Sequence, residues 1–307
     1  MENRREEQMI INGKELSQDI LNECKNQLVN YPKRQLVVVT IGDDPASKIY
    51  VRNKQKAAEQ VGLEFNNIRF SEEEDFNFIY YSLLNLIYTN GYSSQEVNPS
   101  LAGMIIQLPI VSKILNEKQK KTIIDIVPDC LDVDGFNLTS EFIPCTPKGI
   151  LYMLRSIPNY SLRGKTALVI GRSNIVGKPI AKLLLNEDCT VIQAHSKTPK
   201  NTLLRMFAYA DVVISAVGRA NLITEEDATQ YFKDNRHEYY GGFEVNKDNR
   251  FIIDVGMNRD ENGKLCGDLS ESFKEAYSKY YSPVPGGVGP MTVAMLMDNA
   301  KEAICRS

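Results

Sequence analysis

Thr166-Ala-Leu-Val-Ile170-Gly171-Arg-Ser-Asn-Ile-Val-Gly177-Lys-Pro179 is the stretch on which the fold class turns. A short apolar run enters one glycine, and a second glycine opens a helix-forming segment with Pro179 near its start. A strand, a glycine turn and a helix in that order leave backbone N–H groups free at the helix N-terminus, where they can hold a pyrophosphate. Ser173 stands where a G-x-G-x-x-G run has its second glycine, so the motif draws its weight from its context rather than its spelling. Gly171, Arg172, Ser173, Ile175 and Gly177 are the candidate nucleotide contacts.

Working outward, apolar strands are expected at Thr190–Ala194, 211–217, 251–255 and 280–284, with helices near 200–209 and 224–233. The first half repeats the alternation. Leu16, Ile20, Cys24 and Leu28 mark an amphipathic helix over 14–30, and Gln35–Ile41 reads as a strand buried on both faces. Gly42-Asp-Asp-Pro45 is a turn with Asp44 as N-cap, followed by a helix over 46–61 that stops at Gly62. A strand at 101–107 and a helix at 116–126 complete it. The pattern predicts an α/β protein of two domains, 1–147 and 148–285, joined near 145–152. A last helix from Pro290 is expected to pack back on the first domain, so that 286–307 completes it. The polar, glycine-bearing stretch 234–250 reads as an exposed loop.

Composition narrows the function classes. With 43% hydrophobic and 24% charged residues among 307, the chain can bury a core, and a net charge of -3 argues against a nucleic-acid partner. No apolar run approaches the ~20 residues that span a bilayer. The mixed-charge start resembles neither a secretory signal nor a transit peptide, and six scattered cysteines fit a reduced, cytoplasmic protein. With only His195 and His237, no metal site is expected.

The second strand of the nucleotide segment informs the choice of cofactor. An NAD site usually closes this strand with an acid that holds the ribose hydroxyls. Here it runs Gln193-Ala-His-Ser-Lys-Thr198, without an acid. That acid-free end, with its several donors, and Arg172 suit the 2′-phosphate of NADP, which a carboxylate would repel. The alternative is a solvated strand end with incidental polar residues.

In the helix over 46–61, Tyr50, Lys54, Ala57, Ala58 and Val61 form one stripe on which Lys54 is the exception. Either Lys54 snorkels to water, or it is a desolvated amine that can move protons beside an aromatic platform. Gln107 and the Asp132-Val-Asp134-Gly turn add polar groups at strand ends, where α/β sheets place ligands; the alternatives are strand-end punctuation for the first and an Asp-Gly turn for the second. The loop Pro283-Val-Pro-Gly286-Gly287-Val-Gly-Pro-Met-Thr292 is rich in glycine and proline, either as a ligand-approaching segment or as a tight return.

Taken in order, Pro45 to Lys54, Gln107-Leu-Pro109, Asp132 to Gly135, Pro144-Cys-Thr-Pro147, Gly171 to Gly177, Asp254-Val-Gly256 and Pro285 to Thr292 resemble the bifunctional methylenetetrahydrofolate dehydrogenase/methenyltetrahydrofolate cyclohydrolase family. The resemblance implies an N-terminal α/β folate domain and a Rossmann-type NADP domain. It implies that Tyr50 stacks on the folate, that Lys54 is the main catalytic residue, tuned by its hydrogen bond with Gln107, and that Asp134 binds the pterin edge. Gly286, Gly287 and Thr292 fall in its folate-site segment, and Arg172 and Ser196 match its 2′-phosphate ligands. A homodimer paired through the NADP domain is also implied. Set against that family, the stretches 80–100 and 234–250 are longer than usual and look like surface insertions. A monofunctional NAD-linked dehydrogenase of the same fold and a non-catalytic NADP-binding protein are the competing readings.

Overall fold

The computed structural model describes residues 9–89, 96–235 and 250–306. The chain divides into two compact units, Ser17–Cys145 with Val293–Ser307, and Met1–Leu16 with Thr146–Thr292. Strand β1 (Met9–Ile10) and helix α1 (Gly13–Leu28) open the described chain, and α1 passes from the second unit into the first.

The first unit is built on a parallel three-stranded sheet. Its elements are β2 (Gln35–Ile41), α2 (Pro45–Val61), β3 (Glu64–Phe70), α3 (Phe76–Ile87), β4 (Leu101–Ile106) and α4 (Glu117–Asp125). The strand order is β3-β2-β4, which puts the β-branched run of β2 in the middle, buried on both faces. Val37, Val39 and Ile41 of β2 share a core with Ile79, Leu83 and Ile87 of α3 and Ile123 of α4. β3 and α3 were absent from the sequence expectation. The insertion expected over 80–100 is also corrected in part: 80–87 lie within α3, with Leu83 and Ile87 fully buried. Tyr88 then bridges Val97, and 90–95 lie outside the described residues.

The second unit holds α5 (Cys145–Arg155, its first residue counted with the other unit), β5 (Thr166–Ile170), α6 (Gly177–Asn186), β6 (Thr190–Ala194), α7 (Lys200–Tyr209), β7 (Val212–Ser215) and α8 (Glu225–Asp234). It continues with β8 (Phe251–Asp254), a small antiparallel ribbon of β9 (Asn258–Arg259) and β10 (Leu265–Cys266), α9 (Glu271–Tyr277), β11 (Tyr280–Tyr281) and the first turn of α10 (Val288–Arg306), whose remainder belongs to the first unit. Six parallel strands run in the order β1-β11-β8-β7-β5-β6. The chain leaves β5 to one side for β6 and returns to its other side for β7. The order therefore reverses between β5 and β7, the position at which open α/β sheets bind dinucleotides.

Three expectations shift here. β1 is not part of the first domain: it pairs in parallel with β11, Met9 with Tyr280 and Ile10 with Tyr281. The last helix begins at Val288 rather than Pro290, and its first turn is counted with the nucleotide unit. Arg250, expected in an exposed loop over 234–250, is 2% exposed, while 236–249 lie outside the described residues.

Candidate active site

Helix α2 presents Lys54 because its ends are fixed. The Asp44 carboxylate accepts from Ser47 N at 2.7 Å, Pro45 occupies the first turn, and Gly62 closes the helix at φ +91°. Val51, Ala57 and Ala58 carry the same face into the core, and Lys54 goes with them at 8% exposure. The snorkelling alternative is thereby set aside. Lys54 Nζ donates to Gln107 Oε1 at 3.1 Å and to Asp134 Oδ2 at 3.4 Å.

Both acceptors are held in place. Gln107 follows β4, and its Nε2 donates to Leu108 O at 2.8 Å, which turns Oε1 towards the lysine. Asp134 sits in a turn closed by Asp132, whose carboxylate accepts from Phe136 N at 3.2 Å and Asn137 N at 2.8 Å. Gly135, at φ +70°, lets the turn pass the 144 backbone: a Cβ there would lie 2.7 Å from Pro144 N. Burial, with a smaller push from Asp134, raises the Asp132 carboxyl to about 6. Tyr50 lies one turn before Lys54 on α2 and is 40% exposed. Lys54, Gln107 and Asp134 are thus brought into contact within one unit, with Tyr50 beside them on the same helix.

The nucleotide unit carries the other candidates. Gly171, at φ +130°, packs so closely that a Cβ would lie 2.4 Å from Ala216 O, and a Cβ on Gly177 would meet Gly171 O at 2.5 Å. These contacts are the reason for glycine at both positions. Ser173 Oγ accepts from Val176 N and Gly177 N, each at 3.2 Å, so the serine supports the turn that a second glycine would otherwise shape. Arg172, Ser173 and Ile175 are exposed around the start of α6. β5 and β6 pair Ile170 with Ala194, which puts Arg172 and Ser196 two residues beyond one rung of the ladder, both exposed. Gly286 takes φ +105°, a Cβ on Gly287 would meet Pro283 O at 2.6 Å, and Thr292 Oγ1 lies 3.0 Å from Thr146 Oγ1.

Comparison with known proteins bears on this arrangement. Residues 11–134 match the model of the tetrahydrofolate dehydrogenase/cyclohydrolase catalytic domain. Residues 144–231 and 243–307 match that family's NAD(P)-binding domain. The chain belongs to this family. The bifunctional protein FolD of Streptococcus thermophilus is 38% identical, over 97% of this chain and 98% of its own. FolD of Lysinibacillus sphaericus is also 38% identical, over 96% of each. Among solved structures, the bifunctional FolD dehydrogenase/cyclohydrolase of Campylobacter jejuni superposes with a TM-score of 0.80 at 32% identity, covering 97% of this chain and 99% of its own.

For a member of this family, two features escaped the sequence reading. The contact of Lys54 with Asp134 spans 80 positions, and helical periodicity is blind to such a pair. Of the buried carboxylates Asp254 and Asp268 in the nucleotide unit, the first entered that reading only within the Asp254-Val-Gly256 motif, with no role, and the second did not enter it. Each stands beside or near a glycine after an apolar stretch, Asp254-Val-Gly256 and Gly267-Asp268, and that pattern was the available signal.

Proposed function

We infer that this chain oxidises 5,10-methylenetetrahydrofolate to 5,10-methenyltetrahydrofolate with NADP and hydrolyses the product to 10-formyltetrahydrofolate. The observation that carries the reading is the buried Lys54 amine in contact with Gln107 and Asp134, in a chain of this family. Among the described residues no helix is long and apolar enough to cross a membrane. We place the protein in the cytoplasm.

NADP, when bound, accepts the hydride from the methylene bridge of the folate. The cation left behind is stabilised by its own ring nitrogens, so the protein's task in this step is alignment. Tyr50 supplies a stacking face, and Asp134 pairs with the pterin edge. Ring opening is different, because water adds to the methenyl carbon and protons must move. Lys54 Nζ is the donor and acceptor for that traffic. An ammonium has three N–H groups, and the contacts to Gln107 and Asp134 use two of them. The remaining direction is available to the reacting folate.

The glycine turn, the start of α6 and the acid-free end of β6 support NADP. Arg172 and Ser196, in register on neighbouring strands, are assigned to its 2′-phosphate. Residues 1–147 with 286–307 were expected as the folate domain; we keep the functional division and draw its edges at the two compact units instead. A homodimer through the nucleotide unit is consistent with β6, which has one strand neighbour among the described residues, and with exposed Leu185 and Tyr209 on the flanking helices. Light scattering on the purified protein reads that state directly. The activity is tested by supplying methylenetetrahydrofolate with NADP or NAD, and methenyltetrahydrofolate alone. Reduction of NADP together with hydrolysis is expected. Reduction of NAD without hydrolysis would establish the monofunctional alternative.

A further inference from the structure

The loop that follows β7 is tied down from inside by a carboxylate that the reaction does not use. Asp268 is completely buried, and its two oxygens take four donors. Oδ1 accepts from Arg219 N and Asn258 Nδ2, both at 2.9 Å, and Oδ2 accepts from Val217 N at 2.7 Å and Ser215 Oγ at 3.1 Å. A second buried carboxylate, Asp254 at the end of β8, fixes the backbone that carries Asp268. It accepts from Asp268 N and Leu269 N at 2.9 Å and from Gly256 N at 3.0 Å. The space is closed around both: a Cβ on Gly267 would lie 2.0 Å from Asp254 Oδ2, and one on Gly256 2.3 Å from Asp268 Oδ1.

Burying two ionisable groups side by side is costly. Residues 217–219 are exposed, yet the N–H groups of Val217 and Arg219 turn inward to a carboxylate that is itself completely buried. What the carboxylate adds is one fixed conformation for that loop. The loop also borders the glycine turn, since the Gly171 backbone comes against Ala216 O. Gly171 and Ala216 follow β5 and β7, the adjacent strands between which the sheet order reverses. The loop therefore forms one wall of the crevice in which such sheets hold a dinucleotide.

We propose that Asp268 is a positioning residue for the cofactor. It holds the 216–219 wall of the crevice between β5 and β7 in the shape that NADP binding and hydride transfer require, without touching cofactor or substrate. The proposal rests on NADP occupying this crevice. Asp254 acts one step further back, by holding the backbone of Asp268.

The two activities supply an internal control. Hydrolysis of methenyltetrahydrofolate needs no nucleotide and uses Lys54 in the other unit, whereas dehydrogenation needs the crevice. Asp268→Asn keeps the side chain's shape but turns an amide N–H2 towards groups that are themselves donors. In the full chain, the NADP dissociation constant by titration calorimetry and the NADP KM should rise about tenfold or more. Hydrolysis measured without nucleotide should stay within about twofold of wild type. Ser215→Ala, which removes one donor and keeps the carboxylate, should move the NADP constants the same way by less; it carries the test if Asp268→Asn does not fold. Unchanged NADP affinity in a folded variant, or a parallel fall in both activities, would overturn the proposal. A wild-type protein that binds no NADP would instead remove the crevice reading itself, and the titration shows this before any variant is made.

Discussion

A buried amine gripped by a carboxylate and an amide can pass a proton without waiting for solvent, and Lys54 is held in that way. Hydride transfer asks for alignment and ring opening asks for protons, so the two reactions should part company when the amine is removed. In Lys54→Met the stem still packs with Val51 and Ala58, and hydrolysis of methenyltetrahydrofolate should fall by about 10²-fold or more. Dehydrogenation should fall less. Asp134 loses its partner in this variant, so each rate is taken per folded molecule; hydrolysis at the wild-type rate would remove Lys54 from the chemistry. Arg172 makes the companion case on the cofactor. Arg172→Ala should raise KM for NADP by about tenfold and leave KM for NAD nearly unchanged, because only NADP carries the 2′-phosphate. An equal change for both cofactors would mean that Arg172 does not read that group. At this scale the sequence was informative about identity and poor about pairing. A stripe of Tyr50, Ala57, Ala58 and Val61 singles out Lys54, but nothing in the spacing brings Asp134 to it.

Elements were legible where their own residues carry the signal. β2 is a continuous β-branched run, α2 has both caps written into it, and both were found. β3 was lost because Glu64-Phe-Asn-Asn-Ile-Arg-Phe70 is a polar outer strand, with β2 as its one strand neighbour among the described residues, and mostly half-exposed. β1 was lost because two residues carry no period, and only the distant Tyr280 and Tyr281 make them a strand. Arg250 shows the same limit with an energetic consequence. Beside a polar, glycine-bearing run it reads as solvated, yet its Nε donates to Ala210 O at 2.8 Å and its NH2 group to Ala208 O at 3.1 Å, at the end of α7. The guanidinium also lies over Phe207, 4.3 Å from the ring centre. A cation at a helix C-terminus meets the negative end of the dipole, and these carbonyls have no water to turn to. Arg250→Met should therefore destabilise the nucleotide unit by about 3 kcal/mol, seen as a lower melting temperature in calorimetry. Arg250→Lys should recover little, since one ammonium cannot span both carbonyls in the geometry of the planar fork. A melting temperature unchanged in Arg250→Met would show that the contacts are incidental.

Over the whole molecule, each unit holds a carboxyl pushed up by burial, and the two set an unusual dependence of stability on pH. Asp132 in the first unit and Asp254 in the second are both raised from 3.8 to about 6, with desolvation as the largest cause and a neighbouring aspartate adding to it. Such a carboxyl binds its proton more tightly in the folded chain than in the unfolded one. Between about pH 4 and about pH 6 the folded state therefore carries more protons, and stability falls as pH rises. The contribution is complete below the unfolded value and is lost once pH passes the folded one. Asp227 runs the other way: burial raises it, but bonds from Lys200 and Thr224 win and leave it lowered, so its contribution is lost as pH falls. Total stability mixes these opposing slopes, and a comparison with one variant separates them. Asp254→Asn removes a single titration from a fully buried site, and the hydrogen bond it sacrifices costs the same at every pH. Wild type minus variant should therefore shrink as pH rises from about 4 to about 7, by on the order of 3 kcal/mol. Calorimetric unfolding of both proteins across that range reads the difference, in the transition of the nucleotide unit. A gap that stays constant, or that widens towards neutral pH, would mean that Asp254 is as acidic in the folded protein as in the unfolded chain, with its three backbone N–H donors outweighing its burial.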